Sequence, residues 1–366
     1  MGDDSRERRM TERSVGVRDV AALAEVSPQT VSRVINEHPS VRDETRRRVQ
    51  DAMVALGYRV NNAARTLGTR RTRTLGVIAS NAALFGPSAG VVALESAARA
   101  VGRWVTTAYA DAADETSVEA SLEHLLAQGV DGVIVVAPRV ESVSGLTKRH
   151  PSLIVSALPS AAGVLRQAQG SALAVEHLVE LGHRRIARVG GPSDWLEEDA
   201  RARGFTEALS AAGLAPVAQW SGDWSAASGA ALAAEIAAAV RGGGADTLGA
   251  PGAPGTSASP GTSGAPGTPG ISGGPTALVV ANDQMALGII SGLAGEGIRV
   301  PEDISIVGFD DNTDAAYYRP ALTTVRIDAE GEARRSVAEV LGNELADVAA
   351  DVQPPRLVVR GSTSPV

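Results

Sequence analysis

Residues 19–36, DVAALAEVSPQTVSRVIN, have the pattern of two short helices joined by a tight turn. Their apolar positions keep the spacing of two helices that pack face to face. These positions are Val20, Ala21, Leu23, Ala24, Val26, Val31, Val34 and Ile35. Ser27 can cap the second helix, and Pro28 suits its first position, where a backbone N–H is not needed. The pattern predicts a helix-turn-helix.

The second helix of this pair carries the candidate DNA contacts, which are Pro28, Gln29, Thr30, Ser32 and Arg33. In a helix-turn-helix, this helix enters the major groove with its first turn toward the bases. A Gln side chain suits adenine there, and an Arg side chain suits guanine. A surface helical hairpin of some larger fold is the structural alternative.

A third amphipathic helix is predicted over residues 43–56, with Val49, Met53 and Leu56 facing inward, so that three helices form a minimal core. Residues 1–75 contain 15 Arg against 10 Asp and Glu, whereas the whole chain has a formal net charge of -8. The N-terminal part is therefore basic and the remainder is acidic. This asymmetry is expected if the first part binds the phosphates of nucleic acid.

Residues 58–68, YRVNNAARTLG, contain an Asn cap, a short Ala-rich segment and a closing Gly, which delimit about two helical turns. An isolated helix of that length is unstable in water, so we expect this segment to fold only on a template. Ala64 and Leu67 fall on one face, where a wedge into the minor groove would lie. The candidate DNA contacts of this hinge are Asn61, Ala64 and Leu67.

From residue 74 onward, apolar strand-like runs alternate with helical stretches such as 118–127 and 173–181. The runs are residues 75–79, 105–109, 133–137, 153–157, 186–189, 277–281 and 304–307. Runs that are apolar on both faces indicate parallel sheets covered on both sides by helices. In such sheets, ligands bind beyond the carboxyl ends of the strands.

Polar residues follow three of these strands and are candidate ligand contacts. They are Ser80, Asn282, Asp283, Asp310 and Asp311. Carboxylates and amides suit the hydroxyls of a sugar, Arg201 can supply a forked donor, and Trp224 can supply an aromatic face for the sugar ring. Each residue alone has a strong structural alternative, because a strand-end Asp often caps the next helix and a lone Trp more often belongs to a core.

Residues 17–68 resemble the DNA-binding headpiece and hinge of the LacI family of transcription regulators. The pattern V-x-D-V-A-x-x-A-x-V-S-x-x-T-V-S-R-x-x-N, which begins at residue 17, carries the resemblance together with the hinge segment. The resemblance implies that Pro28, Gln29 and Arg33 read bases. It also implies that Leu67 from each of two subunits opens the central base step of a palindromic operator.

The resemblance continues through the body of the chain, on LGHRRI at 181–186, ANDQMALG at 281–288 and VPEDISIVGFDD at 300–311. It implies a periplasmic-binding-protein-like core of two Rossmann-like subdomains, with the chain crossing between them near residues 160, 328 and 354. The positions that contact the effector in the family carry Ser80, Leu84, Arg201, Trp224, Asn282 and Asp310 in this chain. Other ligand positions differ, and they carry Phe85, Val136, Ser156 and Ile327.

Several function classes have no support in the sequence. Cysteine is absent, which excludes disulfides, thiolate catalysis and the usual zinc sites. We find no secretory signal and no apolar run of about 18 residues that could span a membrane. The histidines are scattered, and no H-E-x-x-H, G-x-S-x-G, Walker loop or helix-opening G-x-G-x-x-G occurs. We therefore expect a cytoplasmic protein that is not an enzyme and needs no metal or cofactor.

The sequence thus predicts an α/β protein with an N-terminal three-helix headpiece, a hinge helix and a two-subdomain core. The predicted divisions are a disordered arm at 1–16, a DNA-binding domain at 17–60, a hinge at 61–72 and an effector-binding and dimerisation core at 73–366. Residues 242–275 are almost entirely Gly, Pro, Ser, Thr and Ala, so we expect a flexible loop there.

The expected function is that of a homodimeric, sequence-specific transcription repressor that a small sugar effector releases from a palindromic operator. A dimer is required because one headpiece reads only a half-site. Closure or rotation of the subdomains around the ligand would change the spacing of the two hinges. Two alternatives stay open: a corepressor-activated repressor of the same fold, and a solute-binding protein.

Overall fold

The computed structural model describes residues 15–36, 38–59, 72–80, 82–139, 142–242, 273–342 and 352–366. Most of the predicted arm, hinge and low-complexity loop lie outside these ranges, as do the hinge candidates Asn61, Ala64 and Leu67. The chain divides into two units, Met1–Thr72 and Arg73–Val366. No helix in the described ranges is long and apolar enough to cross a membrane.

The first unit contains three helices in its described residues. They are α1 Val17–Leu23, α2 Pro28–Ile35 and α3 Asp43–Ala55. The hydroxyl of Ser27 accepts the N–H of Thr30 at 3.1 Å and caps α2, while Pro28 takes its first position. The buried core consists of Val20, Ala21, Ala24, Val31, Val34, Val49 and Ala52. The predicted helix-turn-helix is therefore present.

One predicted core residue of this unit is placed differently. The side chain of Leu23 is 53% exposed, so the prediction that it packs inward is wrong. Successive residues of a helix are about 100° apart, and Leu23 is therefore turned well away from its buried neighbour Ala24.

The second unit contains a four-stranded parallel sheet with the order β2-β1-β3-β4. Its strands are β1 Thr74–Ala79, β2 Trp104–Tyr109, β3 Gly132–Val136 and β4 Val155–Leu158. The helices between them are α4 Phe85–Ala100, α5 Glu115–Ala127 and α6 Ser142–Arg149. Buried aliphatic side chains on the strands, among them Leu75, Val77 and Ile134, pack against these helices.

A six-stranded sheet follows, with the order β10-β9-β8-β7-β5-β6. Its strands are β5 Ile186–Gly190, β6 Gln219–Ser221, β7 Ala277–Val280, β8 Ser305–Phe309, β9 Thr323–Arg326 and β10 Arg356–Val358. All pairs are parallel except that of β10 with β9, which is antiparallel. The remaining helices are α7 Ala161–Glu180, α8 Leu196–Ala211, α9 Ala226–Ala231, α10 Ala233–Val240, α11 Asp283–Gly295 and α12 Ala329–Leu341, with a 3-10 turn at Ala315–Tyr317.

The chain crosses three times between the two subdomains that these sheets define. The first crossing lies between β4 and α7, because α7 packs on the six-stranded sheet. The second lies between β9 and α12, because α12 packs on α4, β3 and β4. The third lies between α12 and β10, which pairs with β9. The two-subdomain core and the expected crossings near residues 160, 328 and 354 are confirmed.

Two features of the sheets differ from the predictions. Strand β2 was expected to be buried on both faces, but Trp104 and Tyr109 are 64% and 58% exposed, because β2 is an edge strand that pairs only with β1. Strand β9 was not predicted, because its Thr323 and Thr324 look polar in the sequence. Both are fully buried, since the hydroxyl of Thr324 donates to Asp283 and the hydroxyl of Thr323 accepts the N–H of Arg360.

Candidate functional site

The predicted DNA-reading residues share the outer surface of α2. Pro28, Gln29, Ser32 and Arg33 are exposed, and Thr30 is half-buried because its hydroxyl lies 2.9 Å from that of Ser27. The opposite side of α2 is anchored in the core by two buried valines. A helix with one face fixed in a small core and the other presenting long polar side chains can be inserted rigidly into a groove.

The main cavity of the second unit lies between the two subdomains and has a volume of about 130 Å³. The first subdomain contributes Leu84, Phe85, Val136, Ala137 and Leu158 to its wall. The second contributes Gln167, Trp195, Glu197, Arg201, Trp224, Asn282, Asp310 and Ile327, and Glu332 reaches the cleft from α12, which packs on the first subdomain. Of the six predicted effector contacts, five therefore line this cleft, which lies beyond the carboxyl ends of the strands.

Ser80 is the predicted contact that the structure separates from the others. It lies at the end of β1 and lines a second, much smaller cavity beside Ala110 and Val118. Its side chain is buried, and its hydroxyl has no hydrogen-bond partner among the described residues. The expectation that ligands bind beyond the carboxyl ends of parallel strands, here called the strand-end rule, located the correct edge of the sheet. Local packing, however, turns the Ser80 hydroxyl away from the main cleft.

Arg201 organises the polar side of the cleft. Its Nε donates to Gln167 Oε1 at 2.8 Å, its Nη2 donates to Asp310 Oδ1 at 3.1 Å, and its Nη1 donates to the carbonyl of Ala281. The guanidinium also lies 3.9 Å from the ring centroid of Phe309. Three of the five N–H groups of the guanidinium are therefore committed to the protein, and the expected fork toward a ligand is largely occupied.

Asp310 and Asn282 are held in the wall by bonds of their own. Burial raises the pKa of Asp310, and the charge of Arg201 opposes this rise. Asn282 Oδ1 accepts the N–H of Met285 at 2.9 Å and caps α11, while its Nδ2 donates to the carbonyl of Trp224 at 2.9 Å. The helix-capping alternative thus describes Asn282 well, although its amide still lines the cleft.

Two tryptophans form the aromatic side of the cleft. Trp224 is buried and meets Trp195 edge to face, with 5.9 Å between ring centroids. Gly191 permits this position, because a Cβ there would overlap the Trp224 ring. The backbone φ angles of Trp224 and Asp310 are 75° and 104°, a region that non-glycine residues rarely adopt. Such conformations concentrate at functional sites.

Glu197 and Trp195 are cleft residues that the sequence reasoning missed. Both follow β5 and stand at the start of α8. Glu197 Oε2 is buried without a hydrogen-bond partner among the described residues. Burial raises the pKa of this carboxyl to about 7, with the charge of Arg201 acting in the opposite direction. The strand-end rule, applied to β5 as it was to β7 and β8, would have found this segment.

The two other strand-end carboxylates stabilise the fold. Asp283 accepts the hydroxyl of Thr324 at 2.6 Å and the N–H of Asn312 at 2.8 Å, and burial raises its pKa to about 8. Asp311 accepts hydrogen bonds from Arg326 and Arg360. Neither residue lines the cleft, so their positions after the strands reflect support of the adjoining loops.

Direct contacts join the subdomains at the mouth of the cleft. The N–H of Phe85 donates to Gln284 Oε1 at 2.9 Å, and the buried side chain of Leu84 packs into the core of the second subdomain. On the other side, the N–H of Leu196 donates to the carbonyl of Pro138 at 3.2 Å. Because these bonds bridge the mouth, opening of the cleft requires that they break.

Three known families match parts of the chain. Residues 17–61 match the family described as bacterial regulatory proteins, lacI family. Residues 88–235 match the periplasmic binding proteins and sugar binding domain of the LacI family. Residues 175–363 match a periplasmic binding protein-like domain.

Individual relatives cover almost the whole chain. The lactose operon repressor of Escherichia coli (strain K12) is 33% identical over 330 residues, which are 88% of this chain and 83% of that protein. The crystal structure of the lac repressor dimer bound to operator and the anti-inducer ONPF has a TM-score of 0.71 and 30% identity, covering 96% of this chain and 100% of that one. A complex of the transcriptional regulator CelR with cellobiose has a TM-score of 0.62 and 26% identity, covering 95% and 99%.

Proposed function

Because this chain belongs to the lacI family of bacterial regulatory proteins, it is a DNA-binding transcriptional regulator, and we propose that a small carbohydrate in its cleft releases it from a palindromic operator. The observation that carries the proposal is the composition of the cleft. Two tryptophans stand beside an amide, a guanidinium and carboxylates, which is the mixture that recognises a sugar ring and its hydroxyls. The resemblance to a cellobiose complex adds support.

A binding experiment with DNA tests this function. The full chain is selected against a library of inverted-repeat sequences, and operator binding is then measured by gel shift with mono- and disaccharides added. We expect a subset of sugars to weaken operator binding. A sugar that strengthens binding would instead support the corepressor alternative, and an absence of any sugar effect on a bound operator would contradict the carbohydrate effector.

We propose that the exposed side of α2 reads the major groove and that the hinge contacts the minor groove. The α2 contacts are Pro28, Gln29, Thr30, Ser32 and Arg33, and the hinge contacts are Asn61, Ala64 and Leu67. The exposed position of the α2 residues supports the first group. The family resemblance alone supports the second.

Arg33→Ala should cost about 1 to 3 kcal/mol at one base pair of each half-site and relax the sequence preference there, because a bidentate pair with guanine is lost. Fluorescence anisotropy on operators with single substitutions measures this effect. Arg47→Ala, which removes an exposed Arg from α3, is the matched control and should leave base preference unchanged. Equal losses on operator and random DNA would place Arg33 on phosphate instead.

We also propose that the core, residues 73–366, forms a homodimer that uses the exposed edge of β2. Trp104 and Tyr109 are exposed aromatic side chains on an edge strand, a combination that marks an interaction surface. The related lac repressor structure is a dimer. Dimerisation would supply the second headpiece that a palindromic operator requires.

Trp104→Glu should weaken the dimer about tenfold or more, because a charge would then be buried in the interface. Sedimentation velocity over a concentration series measures the dissociation constant. Ile154→Glu is a matched control, since Ile154 is 50% exposed beside β4, at the opposite edge of the same sheet. An unchanged sedimentation coefficient for Trp104→Glu, with the control also unchanged, would place the dimer interface elsewhere.

A further inference from the structure

Glu197 differs from the other acidic groups of the cleft in having no partner beyond its own backbone N–H. Asp310 pairs with Arg201 at 3.1 Å. Glu332 pairs with Arg166 at 2.5 Å and accepts the hydroxyl of Ser160 at 3.1 Å. Among the described residues, no cation lies within ion-pair distance of Glu197, and no donor reaches its buried Oε2. The cleft therefore holds one acidic group more than its own cations compensate.

A carboxylate oxygen buried without a donor, as Oε2 of Glu197 is, is unfavourable because burial removes its water without replacing the hydrogen bonds. Two charged groups of the wall act on it. The charge of Arg201 attracts the Glu197 carboxylate, but the N–H donors of Arg201 bond to Asp310, Gln167 and Ala281. The charge of Asp310 repels the Glu197 carboxylate. Either a proton or a cationic group of a ligand can relieve the remaining cost.

The surroundings favour a cationic ligand group over a merely polar one. Trp195 lines the same cavity, and the face of an indole ring attracts cations, whereas the ring of Trp224 already has the guanidinium of Arg201 over it at 5.6 Å. A hydrogen bond to a charged partner is also stronger than one between neutral groups. An anionic ligand would meet Glu197, Asp310 and Glu332, while Arg201, the one cation among the described residues that line the cleft, already pairs with Asp310.

We propose that Glu197 is a specificity-determining residue of the cleft, and that it selects carbohydrate effectors bearing a protonated amine over their hydroxyl counterparts and excludes anionic ones. This inference rests on the proposed carbohydrate-responsive function. It adds the chemical class of the effector and the residue that recognises it. The excess acidic group in an aromatic-lined cavity carries the argument.

Matched sugar pairs test the proposal. Calorimetry on the full chain compares glucosamine with glucose, galactosamine with galactose and mannosamine with mannose, and includes glucuronate and galacturonate as anionic members. In the stereochemical series that binds, we expect the amine to bind about tenfold or more tightly than the neutral sugar and the uronate not to bind. The preference should increase between pH 5.5 and 7, because Glu197 ionises in this range.

Two variants complete the test. Glu197→Gln should abolish the amine preference, whereas Glu207→Gln, the same change at an exposed position of α8, should retain it. Equal affinity of amine and neutral sugar in the unaltered protein, or a preference that survives in Glu197→Gln, would overturn this inference and leave the carbohydrate effector intact. Failure of every sugar to bind would overturn both. The comparison of sugars and its pH dependence use the unaltered protein, so they test the proposal even if Glu197→Gln misfolds.

Discussion

Arg201→Ala lowers the free energy of unfolding of the core by about 3 to 5 kcal/mol and removes the response of operator binding to the effector. The magnitude follows from the loss of one partner of a buried ion pair, which leaves the other charge uncompensated. Asp310 would lose the donor at 3.1 Å, and Gln167 and the carbonyl of Ala281 would lose theirs. The effector response disappears because Asp310 and the stacked Phe309 are no longer held in place.

The control for this variant lies two residues along the same helix. Arg203 is exposed and forms only a long ion pair of 3.8 Å with Asp199, so Arg203→Ala should cost at most about 1 kcal/mol. Urea denaturation followed by tryptophan fluorescence compares the variants, since Trp195 and Trp224 lie in the affected cleft. A similar loss of unfolding free energy in both variants would mean that the hydrogen bonds of Arg201 add little stability beyond the helix propensity of the residue.

The fold was predictable from the sequence wherever local spacing and burial act together. Ser27 and Pro28 mark the start of α2 because capping is a local interaction, and the structure places the cap there. The central strands β3, β5, β7 and β8 were found because both of their faces are buried, which produces continuous apolar runs. Strand β9 was missed because Thr324 owes its burial to Asp283, a partner 41 residues away in the sequence.

The cleft was predictable in location but only partly in chemistry. The positions after the strands placed Asn282 and Asp310 in the cleft, since topology fixes which loops meet, while Arg201 and Trp224 were expected there from their chemistry and from the family resemblance. The sequence could not indicate that the N–H groups of Arg201 donate to other groups of the protein, because this depends on side-chain directions set by tertiary packing. Nor does a sequence distinguish a paired carboxylate oxygen from an unpaired one, so the buried Oε2 of Glu197 is evident only from the structure.

The unpaired carboxylate also makes the stability of the core depend on pH. The pKa of Glu197 is raised from an ordinary 4.5 to about 7 in the folded protein, mainly by burial. The folded state therefore binds this proton more tightly than the unfolded state does. Protonated Glu197 therefore stabilises the folded state by about 3 kcal/mol below pH 4.5, and this contribution is lost as the pH rises to about 7.

Glu197→Gln should remove this dependence, because an amide cannot ionise. We expect the stability of the unaltered protein relative to Glu197→Gln to fall by about 3 kcal/mol between pH 4.5 and 7.5, as measured by urea denaturation. Groups that titrate in both proteins, including Asp283 with its pKa of about 8, largely cancel in this difference. The stability of Glu207→Gln should change with pH as that of the unaltered protein does, since Glu207 is exposed on the same helix. If the stability of Glu197→Gln changes in this way as well, Glu197 is ionised and solvated in the folded state, and the excess charge in the cleft is compensated by water.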